Sequence, residues 1–158
     1  MHSRIIELGN APILPDDRMG ECSVPEWFYH SIADYTNAET DRDEDLKWFL
    51  EIVAHIVDVA VDGESFTFKP NAKKKYFHRQ YYAFLDKARE LTGISIEAFC
   101  AETPYDIGMA MYKLNEAYQD KFSFYIYYQD KLKTLDEWIR ETDLSESFYF
   151  GGTLDYHF

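Results

Sequence analysis

A chain of 158 residues, 46% hydrophobic and 18% aromatic, carries enough apolar mass for one domain with its own core, and this composition excludes a disordered chain. Its 29 acids against 16 Lys and Arg leave a formal net charge of −13, which argues against duplex nucleic acid and an anionic membrane surface as direct partners and permits either a basic protein partner or simply high solubility. No apolar run nears the ~20 residues of a membrane span, and "MHSRIIELGNAPILPDD" lacks the basic opening and apolar stretch of a secretory signal, so a cytoplasmic location is expected.

"RIIEL" (4–8) reads as a short strand, followed by a Pro-rich connection. Residues 24–38, "VPEWFYHSIADYTNA", fit either a helical turn or a strand. A helix is predicted over about 41–56. Thr40 serves as its N-cap, Asp41, Asp43 and Glu44 lie where the helix dipole favours negative charge, and Leu46, Phe49, Leu50, Val53 and Val57 recur at helical spacing. "VDVAVDGESFTF" (57–68) predicts a hairpin around Asp62-Gly63, the dipeptide suited to a type I′ turn. A long helix follows between Asn71 and Gly93, with Phe77, Tyr81, Phe84, Leu85, Ala88 and Leu91 as its stripe.

A short helix is predicted at 95–102, and Thr103-Pro104 opens another that aligns Ile107, Met111, Leu114 and Tyr118. "FSFYIYY" (122–128) is a buried-type strand, and Thr134 with Glu137 forms a capping box for a helix to about 142. "SFYFGGTLDYHF" (147–158) reads as two short strands around a Gly-Gly turn. With no repeat and no linker-like tract, the expectation is a single acidic α+β domain over 1–158. It should hold a small mixed or antiparallel sheet of short strands and hairpins, packed with about four helices.

The stretch "AETDRDEDLKWFLEIV" (38–53) tests three chemistries. Asp41, Asp43 and Asp45 match positions one, three and five of a calcium loop, but Leu46 stands where Gly is required and Ile52 where a bidentate Glu belongs. No metal is expected. On a helical wheel Leu46, Phe49, Leu50 and Val53 share one face, while Trp48 and Ile52 project from nearly the opposite side among Asp41, Glu44, Asp45 and His55. Rings inside an acidic fringe suit an interface anchor with a charged rim. A helix buried on both sides, one face on the sheet and one under "EWFYHSIADY" (26–35), accounts for the same wheel.

The charge is unevenly placed. Residues 1–64 hold fifteen acids and four bases, residues 65–93 two acids and seven bases, and residues 94–158 twelve acids and five bases. Concentrating so many anions in the first two fifths costs self-repulsion, which suggests a use for them. The expected partner-binding set is Asp34, Tyr35, Asp41, Glu44, Asp45, Trp48, Asp58, Asp62 and Glu64, carboxylates imitating phosphates around aromatic anchors. The basic exception, "KPNAKKKYFHRQYY" (69–82), places Lys73, Lys74 and Lys75 in a first helical turn that disfavours cations. With Arg79 they pair with the protein's own acids or bind an anion, the latter beside Tyr76, His78 and Tyr82 as basic-aromatic strips do for single strands.

No catalytic motif stands out. There is no G-x-S-x-G, Walker, G-x-G-x-x-G or H-E-x-x-H pattern, and the histidines never approach ligand spacing. Cys22 and Cys100 are isolated and read as reduced thiols. Asp155 and His157 share a strand face and make an acid–base pair geometrically possible, and "LDEW" (135–138) and "TDLSE" (142–146) offer carboxylate pairs. The favoured expectation is a non-catalytic acidic inhibitor without cofactors. In this reading it is a DNA-mimic-like anti-restriction or anti-CRISPR protein that blocks a basic nucleic-acid-handling partner. An immunity protein against a toxin, or a small enzyme using Asp155 and His157 or a carboxylate pair, are the alternatives.

Overall fold

A computed structural model describes residues 1–102 and 104–158, which form six α-helices and a mixed sheet of seven strands, an α+β fold with an open sheet. Thr103, taken above as part of a helix start, lies outside the described residues. The chain divides into two compact units: Met1–Lys73 with Phe122–Phe158, and Lys74–Lys121.

The first unit is the sheet. In chain order it holds β1 (His2–Gly9), α1 (Glu26–Ser31), β2 (Tyr35–Asn37), α2 (Arg42–Val53), β3 (Val57–Val59) and β4 (Ser65–Phe68). The start of α3 (Ala72–Thr92), then β5 (Tyr125–Tyr128), β6 (Lys131–Thr134), α6 (Leu135–Glu141) and β7 (Ser147–His157) complete it. The strands order as β3-β4-β7-β1-β5-β6, and β2 pairs with the last residues of β7. β1 runs antiparallel to β7 and parallel to β5.

Both faces of the sheet are covered. Ile5, Leu154, Tyr156 and Tyr125 pack with Phe28 of α1 and with Met19 and Val24 of the preceding loop. On the other face Phe66 and Phe150 meet Phe49 of α2, and Phe148 meets Phe66 and Trp138 of α6. The capping box of Thr134 and Glu137 starts α6 as expected. α2 is capped by Asp41, whose carboxylate accepts from the Asp43 and Glu44 amides, while the Thr40 hydroxyl is bonded to that of Thr153.

Two turns differ from their expectation. The C-terminal segment is one strand of eleven residues, and Gly151-Gly152 is a bulge in it, opposite Glu7 where the β1–β7 register shifts. The bulge flips side-chain phase. Phe148 and Phe150 lie on the α2 face, whereas Leu154 and Tyr156, also at even positions, join the α1 face. The 57–68 hairpin forms, but only Gly63 has positive φ (75°), and its N–H bonds the Ala60 carbonyl, so this is a wider loop than a type I′ turn. The two-residue turn with both φ positive is Gln129-Asp130 (50° and 59°), joining β5 to β6, a strand the residue pattern did not disclose.

The second unit, residues 74–121, holds most of α3, then α4 (Ile96–Phe99) and α5 (Tyr105–Tyr118). Gln80 donates to the Tyr118 carbonyl at 2.8 Å, and Phe84 and Tyr118 rings meet at 6.0 Å, so α3 meets the C-terminal end of α5. None of its described residues is fully buried, and Ile96, Phe99, Tyr105 and Met111 are each at least 60% exposed.

Candidate functional site

The start of β1 and the end of β7 form a polar cluster with β2 and α2. Antiparallel register sets His2 opposite His157 and Arg4 opposite Asp155, and β2 adds Tyr35 beside His157. Because the bulge has flipped the phase of β7, Asp155 is delivered to the side of the sheet on which α2 carries Asp45.

The Arg4 guanidinium bonds both Asp45, through Nε, and Asp155, through Nη1. It also lies 5.5 Å from the centroid of the Trp48 ring, within cation–π range. Trp48 meets Phe124 edge-on at 4.7 Å. The other Asp155 oxygen is 2.8 Å from His2 Nδ1. His157 Nδ1 is 3.1 Å from Asp34 Oδ2, and its ring stacks on Tyr35 at 5.4 Å and 3°. Asp45 is 4% exposed, and its Oδ2 has no hydrogen-bond partner, so Arg4 alone compensates a buried charge.

Four residues expected to bind a partner, Asp34, Tyr35, Asp45 and Trp48, are thus brought together with Asp155 and His157. His2 and Arg4 complete the cluster and were not singled out from sequence. Their signal was present as H-x-R at one terminus facing D-x-H at the other, complementary once the two strands are paired antiparallel. Asp155 and His157 do not bond each other: the first serves Arg4 and His2, the second Asp34 and the Met1 amino group. Trp48 and Ile52 are 40% and 37% exposed, so α2 is buried on one side only, and α1 packs on the opposite face of the sheet.

The remaining predicted residues fall elsewhere. Asp41 caps α2, and Glu44 is exposed one turn before Trp48. Asp58 pairs with Lys69 at 3.7 Å, Asp62 accepts from the Glu64 amide, and Glu64 pairs with Arg42 at 2.8 Å. Arg42 also donates to the Gly151 carbonyl, so it ties the start of α2 both to the hairpin loop, through Glu64, and to the bulge of β7. Between that loop and α2 lies an open cleft of about 590 Å³, floored by Leu46 and Leu50 and rimmed by Lys47, Glu51, Asp62 and Glu64.

Of the basic group, Lys73 donates to the Arg140 carbonyl. Lys74, Lys75 and Arg79 are exposed, with no ion pair or side-chain hydrogen bond among the described residues. Cys22 and Cys100 are exposed free thiols. Among the described residues no cluster of three or more His, Cys, Asp or Glu is placed to hold a metal ion, and no helix is long and apolar enough to cross a membrane. The chain matches no family model, no curated protein and no solved structure.

Proposed function

We propose that the protein is a non-catalytic acidic binding protein that docks through the solvent side of α2 on a basic nucleic-acid-handling protein and blocks it. The observation carrying this reading is Trp48, a large ring left 40% exposed yet fixed from behind by the Arg4 guanidinium and the edge of Phe124. A ring held rigid before binding loses little entropy when it docks, which is what an interface anchor requires. Ile52 lies one turn on, and Glu44 and Glu51 lie one turn before and after Trp48. Arg4 is oriented by Asp45 and Asp155, so these two carboxylates position the anchor while exposed acids steer the encounter. Anti-restriction and anti-CRISPR proteins belong to this class, with carboxylates standing where the target expects phosphates.

The test is cleavage of plasmid DNA by purified restriction and CRISPR nucleases with the protein added at micromolar concentration, between 50 and 200 mM salt. Inhibition of at least one nuclease, weakening as salt rises and lost in Trp48→Ala, is the expected result. Cleavage untouched throughout, or inhibition indifferent to both salt and Trp48→Ala, overturns the reading. A toxin as the target, which would make this an immunity protein, gives the first of these outcomes with nucleases and is then sought by co-purification from the native host.

A further inference from the structure

α3 divides into two electrostatic regimes. In its second half Lys87 pairs with Glu90 at 2.7 Å and Arg89 with Asp86 at 2.6 Å. In its first half Lys74, Lys75 and Arg79 are exposed and unpaired among the described residues. Lys74 and Lys75 sit in the first turn, where the macrodipole disfavours cations, and Lys75 has Arg79, a like charge, at i+4. A chain with 29 carboxylates leaves these cations uncompensated and in mutually repelling positions. The rings among them are exposed too. Tyr81 and Tyr82 are 55% and 53% exposed, Tyr82 touches His78 edge-on at 5.0 Å, and the two tyrosines meet at 5.4 Å.

We propose that this face, Lys74, Lys75, His78, Arg79, Tyr81 and Tyr82, binds single-stranded nucleic acid, the cations contacting phosphates and the tyrosines stacking on unpaired bases. From Lys74 to Tyr82 the helix advances ~12 Å. The cations occupy the first ~7.5 Å of that length, Lys74 to Arg79, which a strand rising ~3.4 Å per nucleotide crosses with about three phosphates, one for each cation. Exposed tyrosines beside the cations favour unpaired bases over a duplex, whose bases are already stacked, and over a carboxylate surface, which offers the ring faces nothing. The net charge of −13 does not oppose this locally, since residues 74–121 contain seven acids and seven bases. Repulsion from anions elsewhere in the chain is screened beyond about 8–10 Å at physiological salt. The inference is independent of the proposed docking through α2.

The test is fluorescence anisotropy of a labelled oligothymidylate of about 20 nucleotides with the full chain. Three phosphate contacts on a single strand give a log–log salt slope near −2, an affinity loss of about 20-fold between 50 and 200 mM salt. Lys74→Ala/Lys75→Ala/Arg79→Ala should weaken binding at least tenfold at 50 mM and flatten the slope. Tyr81→Ala/Tyr82→Ala should weaken it about tenfold with the slope kept, and a duplex of equal length should bind more weakly than the single strand. The substituted side chains are exposed, and circular dichroism verifies that each variant is folded. No anisotropy change at about 100 μM protein and 50 mM salt overturns the proposal, as does binding unaffected by the triple substitution. Salt-sensitive self-association lost in the triple variant, without oligonucleotide binding, would instead assign the face to a second copy of the chain.

Discussion

Gly151→Ala tests the bulge that aligns the polar cluster. A Cβ on Gly151 would fall 2.6 Å from both Cγ and Cδ of Glu7 and closer still to its Oε2, so the whole outer side chain must leave, not its tip alone. Glu7 is 7% exposed, and its Oε2 accepts from the Met19 amide at 3.0 Å and the Gly152 amide at 2.7 Å. Displacing it breaks two buried bonds to a charged acceptor, at about 1.5–3 kcal/mol each, so about 3–6 kcal/mol in all. That is a large part of the 5–15 kcal/mol of a typical domain. With a urea m-value near 2 kcal/mol/M the midpoint should fall by about 2 M. The double variant is decisive: once Glu7→Ala has removed the side chain, Gly151→Ala should add little. A midpoint shift below about 0.3 M for Gly151→Ala alone, or additivity of the two substitutions within about 0.5 kcal/mol, refutes the account.

Arg4→Ala leaves Asp45 and Asp155 facing each other without their shared cation and should cost about 3–5 kcal/mol, more than Asp45→Ala, after which Arg4 keeps Asp155; urea midpoints in the reverse order contradict the geometry. The Tyr127 hydroxyl is pushed above its ordinary 10.0, first by burial, then by its bond to Asp130 and the charges of Asp130 and Glu7. A raised folded value means its contribution is complete below about pH 10 and lost as pH rises through the folded value, so Tyr127→Phe should lessen the alkaline loss in urea midpoints measured from pH 8 to 11. Since no described residue of 74–121 is fully buried, amides of α4 and α5 should exchange at least about 100-fold faster than those of β1 and β7, a gap of ~3 kcal/mol; equal protection would contradict it.

Element identities were largely legible where periodicity and caps agreed. The runs that became β1, α2, α3, β5 and α6 all carried such signals, and α6 even displayed its capping box. Turn chemistry was less legible, because one dipeptide serves several geometries. Gly151-Gly152 reads as a turn in isolation and becomes a bulge only because β1 offers an unbroken partner from His2 to Gly9. Asp62-Gly63 lacks the second positive φ, while Gln129-Asp130 adopts it without a glycine, under the pull of β5–β6 pairing. Asp41 displaced Thr40 as cap, since its carboxylate reaches two amides while Thr40 is held by Thr153. The site was half legible. Trp48 and Ile52 stood out on the wheel, but His2 and Arg4 acquire meaning only when termini 150 residues apart become neighbouring strands.

The partition of charge separates the acids the fold needs from those it does not. Residues 1–73 and 122–158 hold 22 acids and nine bases, the entire net charge, and residues 74–121 balance at seven of each. Within the sheet unit Glu7 bonds the bulge and the loop before α1, Asp41 caps α2, Asp45 and Asp155 hold Arg4, Asp62 shapes a turn and Glu137 closes a capping box. These carboxylates stabilise the structure and are largely unavailable to a partner. The carboxylates of Asp16, Asp17, Glu39 and Glu51 are exposed, with no ion pair or hydrogen bond among the described residues, and contribute mainly mutual repulsion to the folded state. Removing them should therefore leave stability unchanged or raise it, whereas a partner drawn by charge would be reached more slowly. Under the proposed docking Trp48 differs in kind: its truncation would delete the anchor and should act on dissociation. If exposed acids steer and Trp48 anchors, as proposed, association and dissociation rates are separately adjustable, and that separability is what would distinguish a docking surface from a merely acidic one.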